Sequence, residues 1–167
     1  MIFKNLSKKF LINFFIVLII FLFDRFSKIY VIHLDKQYPG SEIFSSKFVN
    51  LTLIWNEGIA FGLLNFGKDY LYNSLTILIL IIIVVIAFML INSNGIKKYL
   101  LLMILGGALG NAYDRIISRA VPDFIDFHVG NFHWFVFNVA DIFISIGVFI
   151  MILVELFDKN KNVHQND

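Results

Sequence analysis

The stretch LYNSLTILILIIIVVIAFMLI, residues 71–91, decides the architecture. Its 21 positions carry no charge, and at ~1.5 Å per residue they extend about 32 Å, one hydrocarbon thickness. Continuous apolarity of that length predicts a helix facing lipid. Three further segments show the same character: 10–32, unbroken from Phe14 to Phe23; 99–117; and 134–157. The whole chain agrees. Of 167 residues, 59% are hydrophobic and 16% charged, more apolar surface than a soluble domain of this size can bury. Disorder, collagen-like order and a soluble coiled coil are excluded. The reading is an all-α polytopic membrane protein, a single domain over 1–167.

Cys is absent, which removes disulfides, Cys-ligated metal centres and a Cys nucleophile. A net charge of +2 with no basic stripe excludes nucleic acid as a partner. Lys4, Lys8 and Lys9 precede the first span and resemble a signal-peptide n-region. Phe23-Asp24-Arg25 stands where a small-residue cleavage site belongs, so the segment is expected to span uncleaved. Lys97 and Lys98 lie between the second and third spans, and Lys159 and Lys161 follow the fourth. Four spans bring these clusters to one side, the cytoplasm by the positive-inside rule. Both termini are then cytoplasmic, 33–70 and 118–133 are exported, and the residues after Phe157 form a frayed polar tail.

Within the first exported region, Asn50 and Thr52 alternate with Leu51, Leu53 and Trp55, which predicts a short strand on the membrane surface. Asn56 through Gly62 (NEGIAFG) then forms a turn or ledge. More telling are the acids. Asp24, Asp114 and Asp141 fall within or beside spans, where a carboxylate costs roughly 2.5–3.5 kcal/mol, so they should face one another or a wet cavity. Helical spacing groups Asp24 with Lys28, Gly107 with Asn111 and Asp114, and Asn138 with Asp141 and Ser145. All sit at the exported ends of their helices, forming a chamber at one surface. Gly106, Gly107 and Gly110 read as close-packing positions, and Arg115 and Arg119 as snorkelling cations.

In the connector VPDFIDFH, residues 121–128, Pro122 ends the third helix by Val121 and places Asp123 at the chamber mouth. Paired with Asp141, it suits metal-free peptide hydrolysis: one carboxylate takes a proton from water while the other, protonated, serves the carbonyl. Asp114 and Asp126 are rival partners on spacing alone, and Asp114 beside Arg115 is equally a structural ion pair. Asp123, Asp126, His128 and His133 together match no standard zinc spacing, and His133 beside Trp134 reads as an interfacial residue. No metal or cofactor is expected. A small proton- or ion-coupled transporter is the alternative from another class.

Four blocks carry a resemblance across essentially the whole chain: DRFSK at 24–28, NEGIAFG at 56–62, GGALGNAYDR at 106–115 with 121–124, and FNVAD at 137–141. Together they are similar to the bacterial lipoprotein signal peptidases (signal peptidase II), intramembrane aspartic endopeptidases. The resemblance implies four transmembrane helices with a small exported β-cradle and a short interfacial helix. It implies cleavage of prolipoproteins immediately before a diacylglyceryl-modified cysteine at the exported face of the bacterial inner membrane. It assigns catalysis to Asp123 and Asp141, and substrate-binding or supporting roles to Asp24, Lys28, Asn56, Gly58, Gly107, Asn111, Asp114, Arg115, Asn138 and Ala140. Membrane lipid and globomycin-type inhibitors are implied partners, and nothing requires more than a monomer. Pro122 stands where an aliphatic residue is usual, and Arg25 where glutamine is common; neither removes an acid.

Overall fold

The computed structural model describes residues 2–38, 42–58 and 69–163. Its elements run α1 (Ile2–Gln37), β1 (Phe44–Ser45), β2 (Val49–Asn56), α2 (Asp69–Ile91), α3 (Gly95–Ser118), β3 (Val121–Val129), β4 (Phe132–Phe137) and α4 (Val139–Val163). Four helical stretches are long and apolar enough to cross a membrane: Lys8–Gln37, Tyr72–Ile91, Gly95–Ser118 and Val139–Asp158. Their outward faces keep large apolar side chains such as Ile81, Phe88, Phe149 and Ile152 exposed, the inside-out distribution that lipid favours.

The helix α3 is the hub, packing against α1, α2 and α4. Its small residues allow the close approach. A Cβ on Gly107 would lie 2.6 Å from the Ala140 carbonyl oxygen, and one on Gly110 would lie 2.5 Å from Asp24 Oδ2. At the end of α3, Arg119 takes the left-handed conformation, φ 55°, and the chain turns directly into β3. At the other end of the bundle, Lys97 pairs with Glu155 and Asp158 at 2.9 and 3.0 Å, joining the start of α3 to the end of α4.

The sheet is antiparallel in the order β1-β2-β3-β4. Both of its connections to the bundle, α1 to α2 and α3 to α4, lie at the same end. Ile54 faces Asp123 and Asn56 faces Val121 across β2–β3. Val129 faces Phe132 across the two-residue turn Gly130-Asn131, with Gly130 at φ 59°, the first central position where a tight hairpin turn calls for glycine.

Two expectations change. The apolar run from Trp134 was read as the start of the fourth span, but Trp134–Phe137 belong to β4 and the helix begins at Val139. Continuous apolarity does not by itself separate a strand from a helix. The tail expected to fray after Phe157 continues as helix to Val163. The short interfacial helix is not found among the described residues, and Ile59–Gly62 of the predicted ledge lies outside them.

Candidate active site

The start of α4 is built by its own side chains. Asn138 caps the helix: its Oδ1 accepts from the Asp141 N–H at 3.1 Å, while Asp141 Oδ2 accepts from the Asn138 N–H at 3.1 Å. This is a reciprocal capping box, with Asn and Asp in place of the usual Ser and Glu. The arrangement orients Asn138 completely, and its free Nδ2 donates to Asp123 Oδ1 at 2.6 Å. One fully buried asparagine thus bonds both carboxylates. The second oxygen of Asp123 accepts from Asn56 Nδ2 at 2.9 Å, and Asn56 Oδ1 accepts from the Gly58 N–H at 2.9 Å. The Asp123 carboxyl is pushed up to about 6, first by burial and then by the charge of Asp141, against the two amide donors and Lys28.

The supporting layer comes from α1 and α3. Lys28, 1% exposed, donates to Asp24 Oδ2 at 2.9 Å, Asn111 Oδ1 at 2.9 Å and Asp114 Oδ2 at 2.7 Å. All three ammonium protons are used. Because Lys28 holds the oxygen of the Asn111 amide, its nitrogen is turned to Asp141 Oδ1, 2.7 Å away. Arg25 grips Asp114 with two nitrogens at 2.5 and 2.6 Å, reaches Asp24 Oδ2 at 2.9 Å, and lies over the Tyr113 ring at 4.9 Å. Asp24 Oδ1 accepts from the Ala140 N–H at 3.1 Å, placing a carboxylate at the positive end of α4. Two acids and two bases cancel in a nearly dry interior, the condition under which buried charges persist.

Every residue to which the resemblance assigns a role enters this assembly, Gly107 through packing alone. Arg115 Nη2 donates to the Gly58 carbonyl at 3.2 Å and Nη1 to the Asn111 carbonyl at 3.3 Å, clasping the end of β2 to α3. Two alternatives are displaced. Asp114 pairs with Arg25 and Lys28, not with its neighbour Arg115, and Asp126 faces His133 Nδ1 at 2.6 Å. Two features escaped the sequence reading. Arg25 is central to the ion network, which i to i+89 contact hides from local patterns. The helix start at Asn138 was visible in principle, since Asn-x-x-Asp before an apolar run is a capping signal. Among the described residues, metal-ligating side chains gather at Asp126, His128 and His133.

Beside Asp141 opens an apolar cleft of about 710 Å³, walled by Phe48, Phe127, Trp134, Phe137 and Ile142. Asp141 is the one acid among the described residues of its wall.

A family model described as "Signal peptidase (SPase) II" matches residues 16–157. The chain is 52% identical over 160 residues to a lipoprotein signal peptidase of Pelagibacter ubique (strain HTCC1062), covering 96% of both chains. It is 35% identical over 162 residues to one of Francisella tularensis subsp. novicida (strain U112), covering 95% and 99% of the two. Two solved bacterial membrane enzyme structures, obtained in meso at 2.3 and 1.9 Å resolution, are similar with TM-scores of 0.70 and 0.66. Both are 28% identical, the first covering 90% of each chain and the second 86% of this one and 91% of the other.

Proposed function

Because this chain belongs to the signal peptidase (SPase) II family of lipoprotein signal peptidases, we propose that Asp123 and Asp141 form its catalytic pair and cleave the precursor immediately before a diacylglyceryl-modified cysteine. The observation that carries this reading is Asn138, whose side chain donates to Asp123 and whose backbone donates to Asp141. Membership of a peptidase family also speaks against an ion-coupled transporter.

In the proposed reaction the pair shares one proton. The charge of Asp141 helps to raise Asp123; the reading gives the shared proton to Asp123 and the role of base to Asp141. Asp141 takes a proton from water as the water oxygen bonds the scissile carbonyl carbon, while the Asp123 hydroxyl hydrogen-bonds the carbonyl oxygen. The Asp123 proton passes to that oxygen to give a tetrahedral diol; as the C–N bond breaks, Asp141 gives its proton to the leaving amine and Asp123 takes one back from the diol, so the pair again holds one proton. The products are the signal-peptide carboxylate and the free amine of the lipidated cysteine. Acyl chains reach the pair from lipid through the apolar cleft, each buried CH₂ contributing ~0.8 kcal/mol. Globomycin-type peptides inhibit by occupying the same pair.

The topology proposed with this mechanism has both termini in the cytoplasm and the sheet on the exported face of the bacterial inner membrane. It rests on Lys4, Lys8, Lys9, Lys97, Lys98, Lys159 and Lys161 gathering at the end of the bundle opposite the sheet. A monomer suffices, since the assembly of polar groups closes within one chain. The test is cleavage of a diacylglyceryl-modified precursor by purified protein in detergent. Asp123→Asn and Asp141→Asn each abolish turnover and remain folded, whereas Asp126→Asn retains much of it. Loss of turnover in Asp126→Asn alone, or loss with EDTA and recovery with zinc that persists in His133→Gln, would overturn the assignment.

A further inference from the structure

The hairpin β3–β4 carries a second polar cluster that peptide cleavage leaves unused. Asp126 and His128, two residues apart on a strand, share a face, and His133 stands directly across from His128 in the β3–β4 register. The two imidazoles stack with centroids 5.1 Å apart and planes 22° from parallel. One carboxylate oxygen and one nitrogen from each ring lie within 4.8 Å of one another. His133 Nδ1 already touches Asp126 Oδ2 at 2.6 Å.

Two atoms of this cluster are buried without a hydrogen-bond partner, Asp126 Oδ1 and His128 Nδ1. Asp126 is only 7% exposed. A buried unpaired polar atom costs about 1–3 kcal/mol, and two at one place, beside the His133 ring nitrogen, mark a missing electron-pair acceptor. Both orphans can present a lone pair, which suits a cation better than another hydrogen-bonding side chain. Two imidazoles and one carboxylate suit borderline divalent metals, Zn²⁺ among them, and do not suit Mg²⁺ or Ca²⁺, which take all-oxygen sets. Ligand bonds of ~2.0–2.2 Å set donor atoms roughly 3.3–3.6 Å apart, so the 2.6 Å contact between His133 Nδ1 and Asp126 Oδ2 opens to admit the ion. His133, with its side chain 53% exposed, has the freedom to make that movement.

We propose that Asp126, His128 and His133 form a Zn²⁺-type site on the exported hairpin, separate from the Asp123–Asp141 pair. Binding exchanges the His133 Nδ1 proton for the metal and leaves one coordination position open to water. The ion pins β3 to β4, and these strands carry Asp123 and lead into the Asn138 cap, while His128 also lines the apolar cleft. The site therefore holds the wall of the cleft without taking part in bond cleavage.

The test is isothermal titration of ZnCl₂ into the purified, untagged full chain in detergent after removal of metals by chelation. The expected result is one saturable equivalent, with affinity at least tenfold weaker in His133→Gln and unchanged in His33→Ala, which lies on α1 outside the cluster. His133→Gln is the informative variant because an exposed side chain can change without disturbing the fold. The absence of saturable binding to the folded wild type, or a loss of less than tenfold in His133→Gln, overturns the proposal. Neither outcome depends on how the precursor is cleaved.

Discussion

Asp123→Asn should separate stability from pH in a way that burial of the carboxylate dictates. The wild-type carboxyl rises from its ordinary value of 3.8 to about 6 in the folded protein. At ~1.36 kcal/mol per pH unit, the folded state disfavours the ionised form by about 3 kcal/mol. The sign follows from proton counts. Between these two values the folded protein keeps a proton that the unfolded chain has released, so stability falls as pH rises. Below 3.8 the penalty is absent, and above about 6 it is fully present. Asparagine has the shape of the protonated acid and the same crowding against the donors Asn56 Nδ2 and Asn138 Nδ2. Variant and wild type should therefore be close in stability near pH 4, and the variant should be ahead by about 3 kcal/mol near pH 8. The assay is equilibrium unfolding in mild detergent across that range, followed by the fluorescence of Trp55 and Trp134. Asp141→Asn should shrink the wild-type slope without abolishing it, because burial, the larger cause, remains. A difference between Asp123→Asn and wild type that stays constant with pH would refute the reasoning.

Other consequences follow from the same geometry. If one proton must remain on the pair, kcat/KM falls as pH rises through about 6, where Asp123 of the free protein ionises. The falling limb of kcat lies higher, since bound substrate excludes more water; a profile that rises through this range would contradict the proposed proton placement. Asn111→Ala removes a 2.7 Å bond to Asp141. At about 1.5–3 kcal/mol for a hydrogen bond to a charged group, kcat drops roughly 10–100-fold with KM little changed. As a positioning residue, Asn111 should be partly rescued by Gln, which retains the amide. Gly110→Ala pushes a methyl against Asp24 Oδ2, an oxygen that Lys28 and Arg25 both hold. The expected cost is about 1–3 kcal/mol, read as a lower unfolding midpoint, whereas Gly130→Ala meets no neighbour within 4 Å and only backbone strain at φ 59°.

Much of this protein was legible one segment at a time. Partitioning into lipid depends on local apolar content, so four spans and their lysine-flanked ends could be read without any knowledge of contacts. Acids stranded in such segments announced a polar chamber, and helical spacing grouped Asn111 with Asp114 and Asn138 with Asp141. The short strand at Asn50–Trp55 was visible from alternation. Where the apolar run crossed from β4 into α4, composition was the same on both sides, and only the capping bonds of Asn138 marked the boundary.

Partnership was another matter. On spacing alone Asp114, Asp123 and Asp126 are rival candidates, since all lie near the sheet end of the bundle, and Asp114 differs only in having Arg115 beside it. Packing of α3 against α1 gives Asp114 to Arg25 and Lys28, and the β3–β4 register gives Asp126 to His133. The β2–β3 register and the helix cap leave Asp123 facing Asn56 and Asn138. Those choices depend on how closely backbones approach at Gly107 and Gly110 and on which face of a strand each side chain leaves. Sequence determines membrane insertion through sums over neighbouring residues, whereas side-chain pairing depends on distances between residues far apart in the chain, which exist only once the helices and sheet have packed.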